Sequence, residues 1–232
     1  MDRIVVLSGA GLSAEAGLGT FRDVDGLWTA FDLEEVATPQ GFAADPAKVH
    51  AFYDARRANM RAAAPGPAHA ALARLSRRPG TVLVTQNVDD LLERAGATEV
   101  IHMHGELNGA LCPACGHRWS APMRMAGGVP CPACGVSGAR PDVVWFGEMP
   151  YRMEEICAAL EAADLFVSIG TSGTVYPAAG FAQMARAAGA RTLELNLERS
   201  GGPFDEVREG KAGELVPAWV REVLGEDGAG RK

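Results

Sequence analysis

An α/β fold, in which a parallel sheet carries helices on both faces, is predicted by three features of the sequence. The apolar run Ile4-Val5-Val6-Leu7 passes directly into Ser8-Gly9-Ala10-Gly11-Leu12-Ser13-Ala14-Glu15-Ala16-Gly17. A β-branched run that ends in glycines and then opens into helix formers has the form of the strand, tight turn and helix start of a nucleotide-binding crevice. Further short apolar runs, Thr81–Thr85, Leu165–Ile169 and Thr192–Leu195, each deliver small or polar residues at their ends and are separated by helical patterns. Finally, two Cys-x-x-Cys pairs stand between sheet segments and mark a small satellite module.

Composition sets the outer bounds. With 232 residues, 47% apolar and 22% charged, the chain can bury one good core, or one core plus a small module. A formal net charge of −7, from 29 acidic and 22 basic side chains, argues against a protein built to grip phosphate backbones. No direct nucleic-acid binding is therefore expected, whereas a lysine-rich protein tail would meet little repulsion. Met1-Asp2-Arg3 runs straight into a strand without a basic-then-apolar leader, and no apolar run approaches membrane-spanning length. The expected address is cytoplasmic, with no membrane partner.

In the first turn, Gly9 permits the bend, Gly11 lets the main chain approach a pyrophosphate, and the small Ala14 lets the following helix pack down. A dinucleotide dehydrogenase would then show a second strand ending in an acidic residue. Instead the chain runs through Leu18-Gly19-Thr20-Phe21-Arg22-Asp23 and on to Trp28, a segment that reads as a lid loop. The next convincing strand is Thr81–Thr85.

Residues 29–67 read as a helical insertion. Asp45 before Pro46 has the form of an N-cap followed by proline at the first helical position, and the helix can run to Met60 and the stop at Pro65-Gly66-Pro67. Tyr53 and Arg56, three apart, share one helix face. That face has two readings: a solvated stripe with Arg56, Arg57 and Arg61, or a phenol and guanidinium pair able to bind a carboxylate. A second helix spans His69 to Arg77. At the carboxyl end of the next strand stand Gln86-Asn87-Val88-Asp89, which suit both ligand binding and helix capping. The strand predicted from Val100 to His104 carries His102 and His104 on one face, where the sequence alone hardly separates them; a histidine at the sheet's carboxyl edge beside the amide cluster is a general-base candidate. His50, His69 and His117 have no comparable setting.

Cys112-Pro113-Ala114-Cys115-Gly116 and Cys131-Pro132-Ala133-Cys134-Gly135 offer four thiolates for a closed, structural tetrahedral zinc site, in preference to disulfides or a redox pair. Cys157, within an amphipathic helical pattern, reads as core. Val143–Phe146 is strand-like and ends in Gly147-Glu148, where backbone groups can pair with an extended peptide. A second small-residue turn, Gly170-Thr171-Ser172-Gly173-Thr174, follows Leu165–Ile169, and a helix is expected from Val175 to Ala188. Asn196-Leu197-Glu198 end the last predicted strand with groups suited to ribose or adenine. A closing helix runs from about Gly213 to Leu224.

The blocks Gly9-Ala10-Gly11-Leu12-Ser13 with Gly17 and Phe21-Arg22, Thr85-Gln86-Asn87-Val88-Asp89, His104-Gly105, the four cysteines, Val144-Trp145-Phe146-Gly147-Glu148, Gly170-Thr171-Ser172 and Asn196-Leu197-Glu198 occur in order along nearly the whole chain. Together they resemble the sirtuins, NAD-dependent protein-lysine deacylases. The resemblance implies a single catalytic unit over 1–232: a Rossmann-like part (1–28, 68–109 and 141–224), a small domain from insertions 29–67 (helical) and 110–140 (zinc), and a flexible tail at 225–232. It implies that NAD is consumed as a co-substrate: the acyl oxygen of a modified lysine attacks the ribose carbon bearing nicotinamide, and the acyl group ends on ADP-ribose. His104 would be the general base, with Asn87 and Asp89 positioning ribose and nicotinamide. Gly9, Ala10, Gly11, Ser13, Phe21, Arg22, Trp28, Gln86, Val88, Gly170, Thr171, Ser172, Asn196, Leu197, Glu198 and Ala212 would line the dinucleotide, with one structural zinc on Cys112, Cys115, Cys131 and Cys134. Acyl-lysine proteins would be the partners of a monomer, their peptide lying along Val144, Trp145, Phe146, Gly147 and Glu148. Phe52-Tyr53-Asp54-Ala55-Arg56 is similar to class III sirtuins, in which a Tyr-x-x-Arg pair recognises succinyl, malonyl or glutaryl lysine. Leu18-Gly19 and Met103 depart slightly from the family pattern.

Overall fold

The computed structural model describes residues 2–19 and 32–226. Phe21, Arg22 and Trp28, with the lid expected around them, lie outside these residues, as does the tail from 227. The first half of the chain forms β1 (Ile4–Ser8), α1 (Leu33–Val36), α2 (Pro39–Ala44), α3 (Pro46–Ala62), α4 (Pro67–Leu75), β2 (Thr81–Thr85), α5 (Leu91–Arg94), β3 (Val100–His102) and β4 (Gly105–Leu111). The second half forms β5 (Arg118–Ser120), β6 (Arg140–Val143), α6 (Met153–Glu161), β7 (Leu165–Ile169), α7 (Phe181–Ala187), β8 (Arg191–Asn196), β9 (Glu206–Glu209) and α8 (Ala212–Leu224).

Six strands make one parallel sheet in the order β3-β2-β1-β7-β8-β9, and β5-β4-β6 make a small antiparallel sheet. The central strand β1 is buried at every position because helices cover both sheet faces. Its side chains alternate between two cores. Ile4 and Val6 pack with Leu72, Leu75, Val216 and Trp219 of α4 and α8, while Val5 and Leu7 pack with Ile156, Leu160, Phe181 and Ala185 of α6 and α7. Among the described residues, no helix is long and apolar enough to cross a membrane.

The helical insertion starts as its sequence indicates: the Asp45 side chain accepts from the Lys48 amide at 2.9 Å, with Pro46 at the first helical position. One face of α3 buries Val49, Phe52, Tyr53 and Met60 against Val88, Leu107, Val143 and Trp145. The arginines of this helix do not form one solvated stripe. Arg61 is exposed and Arg56 half-buried, but Arg57 is fully buried, donating to the Leu107 carbonyl at 2.7 Å and to Asp54 at 2.8 Å. Asp54 in turn accepts from the Met125 and Ala126 amides at 3.0 and 3.3 Å. A buried guanidinium is tolerated only with such partners, and here they bind the insertion to the cysteine-bearing segment.

Five local expectations are corrected. The turn after β1 opens into two short 3₁₀ segments, Ala10–Leu12 and Ala14–Ala16, closed by Gly17 at φ 83°, in place of an α-helix. Strand β3 stops at His102, because Gly105 turns at φ 77° with a Cβ direction already filled by the Asp142 carbonyl at 2.1 Å. The strand near 143 is shifted to Arg140–Val143, where it pairs with β4; residues 144–148 form a turn whose Phe146 amide donates to the Ala37 carbonyl at 2.9 Å. The helix expected from Val175 begins as α7 only at Phe181, after a 3₁₀ turn at Ala178–Gly180. Cys157 is only partly buried.

Candidate active site

The register aligns Ser8 with both Thr85 and Ile169, Thr85 with His102, and Ile169 with Leu195. Five parallel strands therefore end at one sheet edge, where an open α/β fold places its ligand crevice. The segments 9–13, 86–89, 103–105, 170–172 and 196–198 all leave the sheet there.

Two glycine turns interlock at the centre of this edge. The Gly9 amide donates to Ile169 O and the Gly11 amide to Gly170 O, both at 2.9 Å. A Cβ on Gly9 would lie 2.8 Å from Gly170 O, and one on Gly11 only 2.7 Å from Gly170 Cα. The glycines are thus required first by each other, backbone against backbone, which brings the turns after β1 and β7 side by side. Next to them, Asn196 donates its amide to Thr171 O at 2.8 Å and to Glu194 at 3.1 Å. Glu194, buried within β8, also accepts from the Ser200 amide at 3.0 Å, so the 196–200 turn is held by a carboxylate from below. Leu197 and Glu198 are exposed beyond it, and Ser172 Oγ pairs with Thr174 Oγ1 at 2.8 Å. Ala212 opens α8, whose next amide, Gly213 N, donates to Glu15 at 2.7 Å and ties that helix to the first turn.

Ser13 is the hub of the polar floor. Its hydroxyl donates to Asp89 Oδ2 at 3.0 Å, accepts from Asn87 Nδ2 at 3.1 Å, and lies 3.2 Å from His69 Nε2. The Gly66 amide donates to His69 Nδ1 at 3.1 Å, so the remaining ring proton sits on Nε2 and is given to Ser13. Burial pushes the His69 pKa down to about 4, keeping the ring neutral. Asp89 also accepts from the amide of Leu91, the first residue of α5, at 3.1 Å, one position before the helix's N-cap Asp90, and so ties the helix start to the crevice. Burial raises its pKa, opposed by the Leu91 and Ser13 hydrogen bonds.

The two histidines that share a sequence pattern have opposite chemistry. His102 faces the Asn87 carbonyl with Nδ1 at 3.2 Å and Glu93 with Nε2 at 2.8 Å, two pure acceptors that require both ring nitrogens to donate. Although burial opposes it, the Glu93 hydrogen bond and the charges of Glu93 and Glu106 raise its pKa. His104 Nδ1 donates to the Gln86 carbonyl at 3.1 Å, while Nε2 has no partner among the described residues. Burial lowers the His104 pKa. Its Nε2 lone pair is available at neutral pH, as a general base requires.

At the other wall, Trp145 Nε1 donates to the hydroxyl of buried Tyr53 at 2.8 Å. The Arg56 guanidinium carbon lies 5.8 Å from the Tyr53 ring centre and 5.7 Å from that of Phe52. Burial lowers the Arg56 pKa, with Tyr53 and Asp89 acting in the opposite sense. Glu148 turns its carboxylate inward, pairing with Arg140 at 2.6 and 2.8 Å and accepting from the Trp145 amide at 2.8 Å. Phe146 is half exposed beside Gly147, and Val144 N donates to His104 O at 2.9 Å.

Away from the crevice, the four sulfurs of Cys112, Cys115, Cys131 and Cys134 lie within 4.8 Å of one another. The Cys112–Cys134 and Cys115–Cys131 separations of 3.7 Å are too long for disulfides and match the roughly 3.8 Å edge of a tetrahedron with Zn–S bonds near 2.3 Å. Each knuckle folds alike: Gly116 N donates to Cys112 O and Gly135 N to Cys131 O, both at 2.8 Å. The two glycines turn at φ 74° and 73°, which explains the glycine after each pair. The set fits one structural zinc and leaves no ligand position for a substrate.

Residues 9–177 match the Sir2 family. The chain belongs to that family. An NAD-dependent protein deacylase of Caulobacter vibrioides is 57% identical over 231 residues, covering 96% of this chain and 97% of its own length. One from Vibrio cholerae is 50% identical over 228 residues, covering 95% and 93%. Among solved structures, a Sir2 homologue–NAD complex superposes with a TM-score of 0.87 at 40% identity, covering 97% of this chain and 90% of that one. A Sir2 protein with a deacetylated peptide and an O-acetyl ADP-ribose superposes with a TM-score of 0.79 at 25% identity, covering 97% and 93%.

Four residues that shape this Sir2 site escape the sequence reading: His69, Glu15, Glu194 and Arg140. His69 carries a usable local signal, since it is the third residue of a helix begun by Gly66-Pro67 and caps that helix with its own side chain. The partners of Glu15, Glu194 and Arg140 are set by packing alone.

Proposed function

We propose that this Sir2 family chain is an NAD-dependent protein-lysine deacylase that removes succinyl and malonyl groups, and acetyl groups as well, releasing nicotinamide and O-acyl-ADP-ribose. The observation that carries the dicarboxylic preference is the Tyr53–Arg56 pair on a wall otherwise built from Phe52, Val49, Val88 and Leu107. A carboxylate entering such apolar surroundings loses its hydration, and a guanidinium beside a phenol donor offsets that loss.

NAD, when bound, supplies the ADP-ribosyl group that accepts the acyl oxygen. The chain's own groups do the rest. The interlocked turns spend the Gly9, Gly11 and Gly170 amides on Ile169, Gly170 and Leu195 carbonyls and leave the Ala10, Thr171 and Ser172 amides for the pyrophosphate, and Asn196 with Glu198 holds the adenosine end. Asn87 and Asp89, fixed through Ser13, orient the ribose and the nicotinamide amide. His104 Nε2 takes a proton from a ribose hydroxyl, its Nδ1 proton being held by the Gln86 carbonyl. The acyl-lysine segment of the partner protein lies along residues 144–148. The helical insertion and the cysteine module act as one small domain, a reading supported by the Asp54–Arg57 ties between them.

The experiment is mass spectrometry of matched succinyl-lysine and acetyl-lysine peptides incubated with and without NAD. NAD-dependent loss of succinyl with formation of nicotinamide and succinyl-ADP-ribose is expected, and Arg56→Met should reverse the order of preference. Loss of acetyl alone would remove the dicarboxylate reading and keep the deacylase.

A further inference from the structure

We propose that Trp145 sets the direction of the Tyr53 hydroxyl proton and is thereby a specificity-determining positioning residue for dicarboxylic acyl chains. The inference rests on the reading of Tyr53 and Arg56 as the carboxylate-binding pair. An indole nitrogen can only donate, so in the 2.8 Å Trp145–Tyr53 bond the phenol oxygen is the acceptor. Its single proton is left over, and among the described residues it meets no acceptor. A buried donor without a partner is unfavourable until something supplies an oxygen. A terminal carboxylate does so; the methyl end of an acetyl group does not.

Trp145 can hold this direction because it is itself immobilised on three sides. The Arg140 guanidinium carbon sits 3.4 Å from its ring centre. Its backbone amide donates to Glu148 at 2.8 Å, and Arg140 clamps the same carboxylate while donating to Val143 O at 2.7 Å. Its third tie is the bond to Tyr53. A cation over the indole face draws electron density from the ring, and the indole donating into the phenol oxygen polarises the phenol O–H, so each step strengthens the next donor in the row. Arg140, Glu148 and Trp145 thus form a rigid arm whose tip is the Tyr53 proton.

The test is a cycle of Trp145→Phe, Tyr53→Phe and the double variant, each assayed for the ratio of kcat/KM with succinyl-lysine to that with acetyl-lysine. The ratio removes effects common to both substrates. Trp145→Phe should lower it by about 3- to 10-fold, mainly through KM for the succinyl peptide, and should lower it no further once Tyr53 is Phe. An unchanged ratio in Trp145→Phe, where Tyr53→Phe does reduce it, would overturn the role of Trp145 and leave the carboxylate pair standing; so would an equal drop in both Tyr53 backgrounds. If Tyr53→Phe and Arg56→Met both leave the ratio untouched, the carboxylate reading itself fails and the inference with it. Should the phenylalanine variant fold poorly, 3-benzothienylalanine at position 145 keeps the indole shape without the N–H, and the same drop in ratio is expected.

Discussion

Ser13 and Asp89 lie 76 positions apart, yet the serine hydroxyl donates to the aspartate at 3.0 Å and so joins the loop after β1 to the loop after β2. Through that bond the groups that face the crevice share one polar floor. Ser13 uses its full hydrogen-bonding capacity, giving one proton and receiving two.

Removing it therefore leaves three groups unmatched. Ser13→Ala is expected to reduce kcat/KM by about 10- to 100-fold and stability by about 1–3 kcal/mol, because the Asp89 carboxylate, the Asn87 amide and the His69 N–H each lose a partner. Steady-state kinetics with urea unfolding checks both numbers. Wild-type activity in the alanine variant would show that the floor does not position the ribose-facing groups.

The two neighbouring histidines should separate cleanly. His104→Ala is expected to abolish at least 100-fold of the activity, whereas His102→Gln keeps most of it. Since burial lowers the His104 pKa, the acid limb of the kcat/KM profile should fall below 6.5, the ordinary histidine value. An acid limb above that value, or one that moves in His102→Gln, would assign the base elsewhere.

His69 makes a prediction about stability against pH. Its folded pKa of about 4 is below the unfolded value of 6.5, so the unfolded chain binds the proton first as pH falls. The stability this group contributes is complete above pH 6.5 and is lost progressively towards pH 4, a change of roughly 3 kcal/mol at about 1.4 kcal/mol per unit. His69→Gln should flatten the urea-measured stability over that window. An unchanged slope would place the titrating group elsewhere.

Metal content and folding should be linked. One zinc per chain is expected by elemental analysis, and Cys115→Ser should release it and lower the melting temperature. The loss should reach the acyl wall as well, because Asp54 accepts from amides at 125 and 126 in the same segment. Full metal retention in the serine variant would rule out four-thiolate binding.

The strands β1, β2, β7 and β8, the cap of α3, the cysteine knuckles, and the loops that bear Asn87, Asp89 and Asn196 are legible in the chain alone. These follow from local rules: burial on both faces makes continuous apolar runs, an Asp-Pro start fixes a helix end, and metal ligands need a set spacing. What those groups do to one another follows from contacts between residues far apart in the chain. Periodicity put His102 and His104 on one face, but the Glu93 carboxylate raises the pKa of one against its burial, while the Gln86 carbonyl takes the Nδ1 proton of the other and leaves its Nε2 lone pair open. Arg57 looked like its exposed neighbours until Leu107 and Asp54 enclosed it. Gly11 proved to face Gly170 across 159 positions of chain, and His69 to feed a proton to Ser13. Proton direction, charge state and close backbone approach are properties of pairs of groups distant in sequence, so they came into being only when the chain had folded.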